Sequence, residues 1–207
     1  MAVIAYQYRG ELVDQIHRGH IAVTDHTGRI LWKLGDPERL TFARSSAKPL
    51  QAIPVAESGA LEHYGITPQE LAVICSSHNG EPFHVKAVES ILHKAGLSPD
   101  QLCCGAEYPM YVPAEDALKI AGIPRAPIYC DCSGKHAGML ITARHFGESL
   151  ENYTALEHPV QQRILSVFAE MCGVETSEVQ LAVDGCGVPV HALPLYRLAP
   201  VSYTHLR

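Results

Sequence analysis

Ser45-Ser46-Ala47-Lys48-Pro49-Leu50-Gln51-Ala52-Ile53-Pro54-Val55-Ala56 is the stretch on which the reading of this chain turns. Serine ahead of an apolar-periodic run, with proline close behind, marks a helix start, and Pro54 predicts a kink or an early stop. Residues three apart share a helix face, so Ser45 can meet Lys48 there while Ser46 cannot. A serine hydroxyl is a weak nucleophile until a neighbouring base takes its proton. A lysine whose charge is disfavoured by burial or by another cation can be that base. The same four letters also spell a capping serine followed by a solvated lysine, so the motif decides nothing by itself.

Upstream, residues 3–34 alternate apolar and polar side chains (Ile21, Val23, then Ile30, Trp32) and break at Asp25-His26-Thr27-Gly28, which predicts strands joined by a hairpin. Downstream, residues 71–75 read as a short buried strand running into the polar loop Ser76-Ser77-His78-Asn79-Gly80. Residues 81–95 follow as an amphipathic helix, with Val85, Val88 and Leu92 at helical spacing and Gly96 as its stop. A Pro-rich irregular stretch over 108–127 contains one short helix at 114–121. Residues 128–130 read as a strand entering the loop Asp131-Cys132-Ser133-Gly134-Lys135-His136, and 137–146 as the helix behind it. A further helix at 160–172 precedes a strand at 181–183 and the loop Asp184-Gly185-Cys186-Gly187-Val188-Pro189. With no repeat, low-complexity tract or linker, the pattern predicts one α/β domain.

The 207 residues are 47% apolar and 18% charged, which excludes a disordered tail, and the formal net charge is −6 with lysine and arginine scattered. Such a charge gives no steering field toward phosphate backbones, so nucleic acid is not an expected partner. The longest apolar runs fall far short of the roughly 20 residues of a membrane span. The N-terminus lacks a basic start followed by a long apolar block, so a cytoplasmic address with reduced thiols is expected. Seven cysteines then point to chemistry or apolar filling, not to staples.

Two further loops could carry that chemistry. Ser76, Ser77, His78 and Asn79 offer hydroxyls, an imidazole and an amide for a second nucleophile or for oxyanion donors, and equally a turn held by local side-chain bonds. Cys132, a residue three further on and Cys186 could reach one ion, and thiolates favour zinc in a site with three protein ligands and an open fourth position. Lysine is an uncommon ligand because it must first lose its proton, so His136 is the more obvious partner on chemical grounds.

Taken in order, R-S-S-A-K-P at 44–49, S-S-H-N-G-E at 76–81, C-S-G-K-H at 132–136 and D-G-C-G-V-P at 184–189 resemble the Rhizobium etli type L-asparaginase family, asparaginase II. The resemblance runs from the first strand to about Leu198. It implies an α/β fold of the α+β type like that of serine β-lactamases and penicillin-binding proteins, a sheet flanked by helices. It implies hydrolysis of the side-chain amide of L-asparagine to aspartate and ammonia, and it leans toward a homodimer. By motif, Ser45 resembles the nucleophile, Lys48 its base, and Ser77 a member of a second serine–lysine pair. Cys132, Lys135 and Cys186 match the family's zinc ligands, in place of His136. Arg44, His136 and Asp184 then resemble residues that orient substrate or water.

The resemblance places the domain at 1–200. It also predicts that the chain is a C-terminal truncation lacking the lysine expected to pair with Ser77, with an atypical, artefactual tail at 201–207. Two rivals stand beside it. One is another serine amidase of the β-lactamase-like fold, such as a serine β-lactamase or peptidase-like acyl transferase; those carry S-D-N and K-T-G, and neither occurs. The other rival is an inactive fragment or a zinc-binding, thiol-rich interaction module.

Overall fold

The structure, a computed structural model, describes residues 1–201, so six of the seven residues of the predicted atypical tail lie outside the described residues. The strands β1 (Ala2–Arg9), β2 (Leu12–Gly19), β3 (Ile21–Thr24), β4 (Ile30–Leu34) and β5 (Leu40–Phe42) come first, followed by a 3-10 turn at Arg44–Ala47. Seven helices follow: α1 (Lys48–Glu57), α2 (Ala60–Tyr64), α3 (Pro68–Ile74), α4 (Pro82–Lys94), α5 (Val112–Ile120), α6 (Ser133–Phe146) and α7 (Pro159–Cys172). The described chain closes with β6 (Gln180–Val183), β7 (Pro189–Pro194) and α8 (Leu195–Leu198). It is a mixed α/β protein with small sheets.

Contacts divide it into two compact units, one of residues 1–43, 169–180 and from 191 on, the other of 44–168 and 181–190. In the first unit, β1 and β2 form an antiparallel hairpin (Tyr6 opposite Ile16), and β3 and β4 a second (Val23 opposite Trp32). The turn of the second hairpin is the predicted Asp25–Gly28, closed by Asp25 N–H to the Arg29 carbonyl at 3.0 Å. Asp25 caps it from inside, accepting from the Thr27 hydroxyl at 2.6 Å, the bond that chiefly holds its carboxyl near 2. Strand β5 pairs antiparallel with β7, Thr41 opposite Leu193.

The second unit is built around α6, whose residues 133–143 are all buried, with α1, α3 and α4 packed against it. Its core gathers Ile74, Ile91, Leu92, Met139, Leu140, Ile141, Tyr153 and Ile164. Two glycines let α3 approach. A Cβ at Gly134 would run into the Val73 carbonyl oxygen, and one at Gly138 would stand 2.6 Å from Ile74 Cγ2. Gly134 therefore serves a helix contact, not a turn.

Several local expectations change. Residues 71–75 do not form a strand: 71–74 complete helix α3, because Thr67 and Glu70 make a reciprocal capping box and Pro68 stands in the first turn. Residues 128–130 do not form a strand either, since Pro127 opens a 3-10 turn. Pro54 sits inside α1 without ending it until Glu57. The predicted loop 131–136 is largely the first turn of α6.

Candidate functional site

The local folds that end these elements deliver polar groups to one region of the second unit. Arg44 enters the 3-10 turn with φ 47, a left-handed conformation unusual for a residue with a side chain. The turn carries Ser45 on its exposed side and leads into Lys48, which is 1% exposed. Helix α3 ends at Ile74, and the chain beyond it brings Ser77 within 2.7 Å of Lys48 Nζ. Ser77 in turn donates to Ser45 Oγ at 3.2 Å. The i, i+3 spacing led to an expected Ser45–Lys48 pair. In the structure the lysine stands at Ser77, and Ser77 is the link to Ser45. Among the described residues, the lysine beside Ser77 is Lys48.

Lys48 Nζ also donates to the Asp131 carbonyl at 3.2 Å and lies 3.8 Å from Asp131 Oδ2. Burial is the largest influence and works against the Asp131 charge, but the Lys48 ammonium and hydrogen bonds from Cys132 and Ser77 together outweigh it and hold the carboxyl below its ordinary range. Behind Asp131, His78 is buried in a chain of donors: Gly80 N–H to Nδ1 at 3.1 Å, Nε2 to Ser133 Oγ at 2.9 Å, and the Ser133 hydroxyl on to the Ile128 carbonyl. Every bond of that chain suits neutral imidazole. Burial, then the charges of His84 and Lys48, pull His78 down to about 4.

A cavity of about 190 Å³ is lined by Arg44, Ser45, Asp131, Asp184 and the thiols of Cys104, Cys130, Cys132 and Cys186, among others. Two cavities of about 310 and 380 Å³ lie elsewhere and gather no such set of groups. Arg44 Nη2 pairs with Asp184 Oδ1 at 3.3 Å. The turn after β6 fixes Asp184, whose N–H reaches the Val188 carbonyl at 2.9 Å and whose carboxylate accepts from Gly185 N–H.

Cys132, at the N-terminal end of α6, and Cys186, in the turn after β6, come together. Lys135, 3% exposed, donates to Cys186 Sγ at 3.1 Å. Cys186 is pushed up to about 11, first by its hydrogen bond with Cys132 and then by burial, and Cys132 is raised first by its bond with Cys130. His136 is fully buried and is not among the cavity's lining residues. Its Nδ1 bonds the Tyr153 hydroxyl at 2.7 Å, while Nε2 has no hydrogen-bond partner among the described residues. Burial depresses its basicity, and Cys186 opposes that effect. Two sulfurs, Cys132 and Cys186, with the Lys135 nitrogen beside them make a donor set that fits a soft divalent ion.

Three contributors stand outside the four motifs. Cys130 and Asp131 join Cys132 in a cluster whose ligand atoms all lie within 4.8 Å of one another, a group able to hold a metal. The spelling C-D-C was the available signal. Tyr153 accepts from Cys103 N–H at 2.8 Å and anchors His136 from 17 residues away, a pairing no linear motif announces.

No helix among the described residues is long and apolar enough to cross a membrane. No curated protein matches the chain. The family model of L-asparaginase II, in contrast, matches residues 5–206, nearly the whole length and both compact units. The chain belongs to the L-asparaginase II family.

Proposed function

We propose that the protein is an L-asparagine amidohydrolase, releasing aspartate and ammonia from a zwitterionic amino-acid substrate. The observation that carries this reading is the relay Lys48–Ser77–Ser45 at a cavity whose wall holds an Arg44–Asp184 ion pair. A guanidinium and a carboxylate side by side complement the α-carboxylate and α-ammonium of a free amino acid, which would exchange places with the existing pair.

In this reading Ser45 Oγ attacks the side-chain amide carbon. Its proton passes to Ser77, and the Ser77 proton passes to Lys48 when that lysine is neutral. The same lysine returns a proton to the departing ammonia, and water hydrolyses the Ser45 ester. Removing the hydroxyl proton through a second serine explains why the base need not touch the nucleophile. Arg44 and Asp184 orient substrate, and His136, buried behind the cavity wall and held by Tyr153, acts on the site from outside the lining. Cys132, Lys135 and Cys186 are the residues that would hold a zinc ion. Such an ion would polarise and place a polar group of the substrate or a water molecule.

The wider reading is of one asparaginase II domain over residues 1–200 on a serine β-lactamase-like fold, cytoplasmic and homodimeric. Seven free cysteines support a reducing compartment. The test is ammonia release from L-asparagine and L-glutamine. Ser45→Ala is expected to remove turnover, and Ser77→Ala to lower it about 10²- to 10⁴-fold, the usual worth of a proton-transfer group. Retention of most activity by Ser45→Ala would move the nucleophile to Ser77. No ammonia from either amide would overturn the amidohydrolase reading.

A further inference from the structure

We infer that Cys130, Asp131 and Cys132 form a second cation site in the wall of the same cavity, selective for thiophilic divalent ions and sharing the Cys132 thiolate with the Cys132–Lys135–Cys186 set. The inference uses none of the amide chemistry proposed above.

The geometry of the cluster matches what an ion requires. Ligands about 2.3 Å (sulfur) and about 2.1 Å (oxygen) from a tetrahedral ion stand about 3.6 Å from each other. Cys130 Sγ stands 3.8 Å from Asp131 Oδ1, and the three ligand atoms lie within 4.8 Å of one another. Three consecutive residues seldom converge on one point, and here the backbone is held so that they do. The Asp131 carbonyl accepts from Lys48 Nζ at 3.2 Å and from His78 N–H at 3.3 Å, and Ser133 N–H closes a turn onto the Cys130 carbonyl at 2.9 Å. Preorganised ligands lose little freedom on binding, which is the usual source of affinity in a small site.

All three residues line the cavity, so the fourth position has room for water or a ligand group. Two sulfurs and one carboxylate suit zinc, cadmium or cobalt over magnesium or calcium. Binding exchanges two thiol protons for the ion and leaves the carboxylate already ionised.

The full chain, reduced and free of metal, is titrated with Co²⁺ alone, reading the thiolate-to-cobalt charge-transfer band and the stoichiometry. Cys186→Ser removes a ligand from the other set and is expected still to bind one Co²⁺ with the band present. Adding Cys130→Ser leaves one thiolate, so it should lower the band per bound Co²⁺ to about half and weaken binding at least about tenfold, since outer-shell changes alone reach that size. Asp131→Asn in the Cys186→Ser background, which changes no volume, should also weaken binding at least about tenfold, and circular dichroism checks that each variant folds. A Cys186→Ser variant that binds no Co²⁺, or one indifferent to Cys130 and Asp131, overturns the inference. Cys130→Ser alone keeps Cys132, Lys135 and Cys186 intact, so the two sites can fail separately.

Discussion

Arg44 holds a left-handed backbone, φ 47, at the edge of the candidate site. For a residue with a Cβ that conformation costs about 1–2 kcal/mol, and glycine escapes the cost. The guanidinium, on a side chain 70% exposed, pairs with Asp184 at 3.3 Å, an exposed ion pair worth under about 1 kcal/mol. Comparing Arg44→Ala with Arg44→Gly separates the two contributions, because both lose the guanidinium and only alanine keeps the strain. Glycine gives back about 0.4–1 kcal/mol through the freer unfolded chain. The glycine variant is therefore expected to be the more stable by about 1 kcal/mol, or about 2–4 °C in Tm for a chain of this size. Thermal and urea unfolding read the stability, and ammonia release from L-asparagine reads the function. Activity should fall alike in both variants, because it depends on the guanidinium. An alanine variant as stable as the glycine one would refute the strain, and activities differing many-fold would show that the backbone matters instead of the guanidinium.

Other expectations concern charge and metal. Burial works against the charge of Glu70, 5% exposed, but hydrogen bonds from Lys94, Ser90 and the Thr67 cap together outweigh it and hold the carboxyl near 2. The folded chain thus keeps the carboxylate to lower pH than the unfolded chain. The resulting stability, up to about 3 kcal/mol, is complete above about pH 4.5 and is lost as pH falls toward 2. Urea unfolding of Glu70→Gln at pH 7 and at pH 3 checks this: the deficit against the parent chain should shrink at the lower pH. His78 acts higher on the scale. Its folded value near 4 lies below the ordinary 6.5, so stability should decline as pH falls from about 6.5 to about 4, and replacement by glutamine should flatten that interval. Chelation is expected to weaken L-asparagine binding more than it lowers saturated turnover, measured as KM against kcat. A chelated protein that binds substrate normally yet turns over nothing would reverse that assignment.

Strong periodicity and caps made much of the fold readable. Val85, Val88 and Leu92 announced α4, and Asp25–Gly28 announced the turn between β3 and β4. Five consecutive apolar residues at 71–75 are ambiguous between strand and helix by period alone, and Thr67-Pro68-Gln69-Glu70, which decides the matter, lies upstream of them. Ser133–His136 read as loop because glycine lowers helix propensity, whereas Gly134 is there for α3. In the site, Ser45, Lys48 and Ser77 were each legible as motif residues, but the partner of Lys48 was not. A contact spanning 29 residues depends on where α3 ends, which no local spacing encodes. Cys130 and Asp131 escaped notice for the same reason, since which thiols share a wall is set by the packing around α6.

The two glycines on α6 differ in how they could be repaired after substitution. At Gly138 the obstacle is a side chain, Ile74, so Gly138→Ala should be partly rescued by Ile74→Ala, the pair being more stable than the sum of the single losses. At Gly134 the obstacle is the Val73 carbonyl, and no second substitution removes a carbonyl. Helix α3 would have to lift, and the segment carrying Ser77 would travel with it, away from Lys48. Gly134 is therefore the hinge pin between the hydroxyl side of the cavity and the thiol side, and its loss should register as disabled chemistry even in a chain that remains folded.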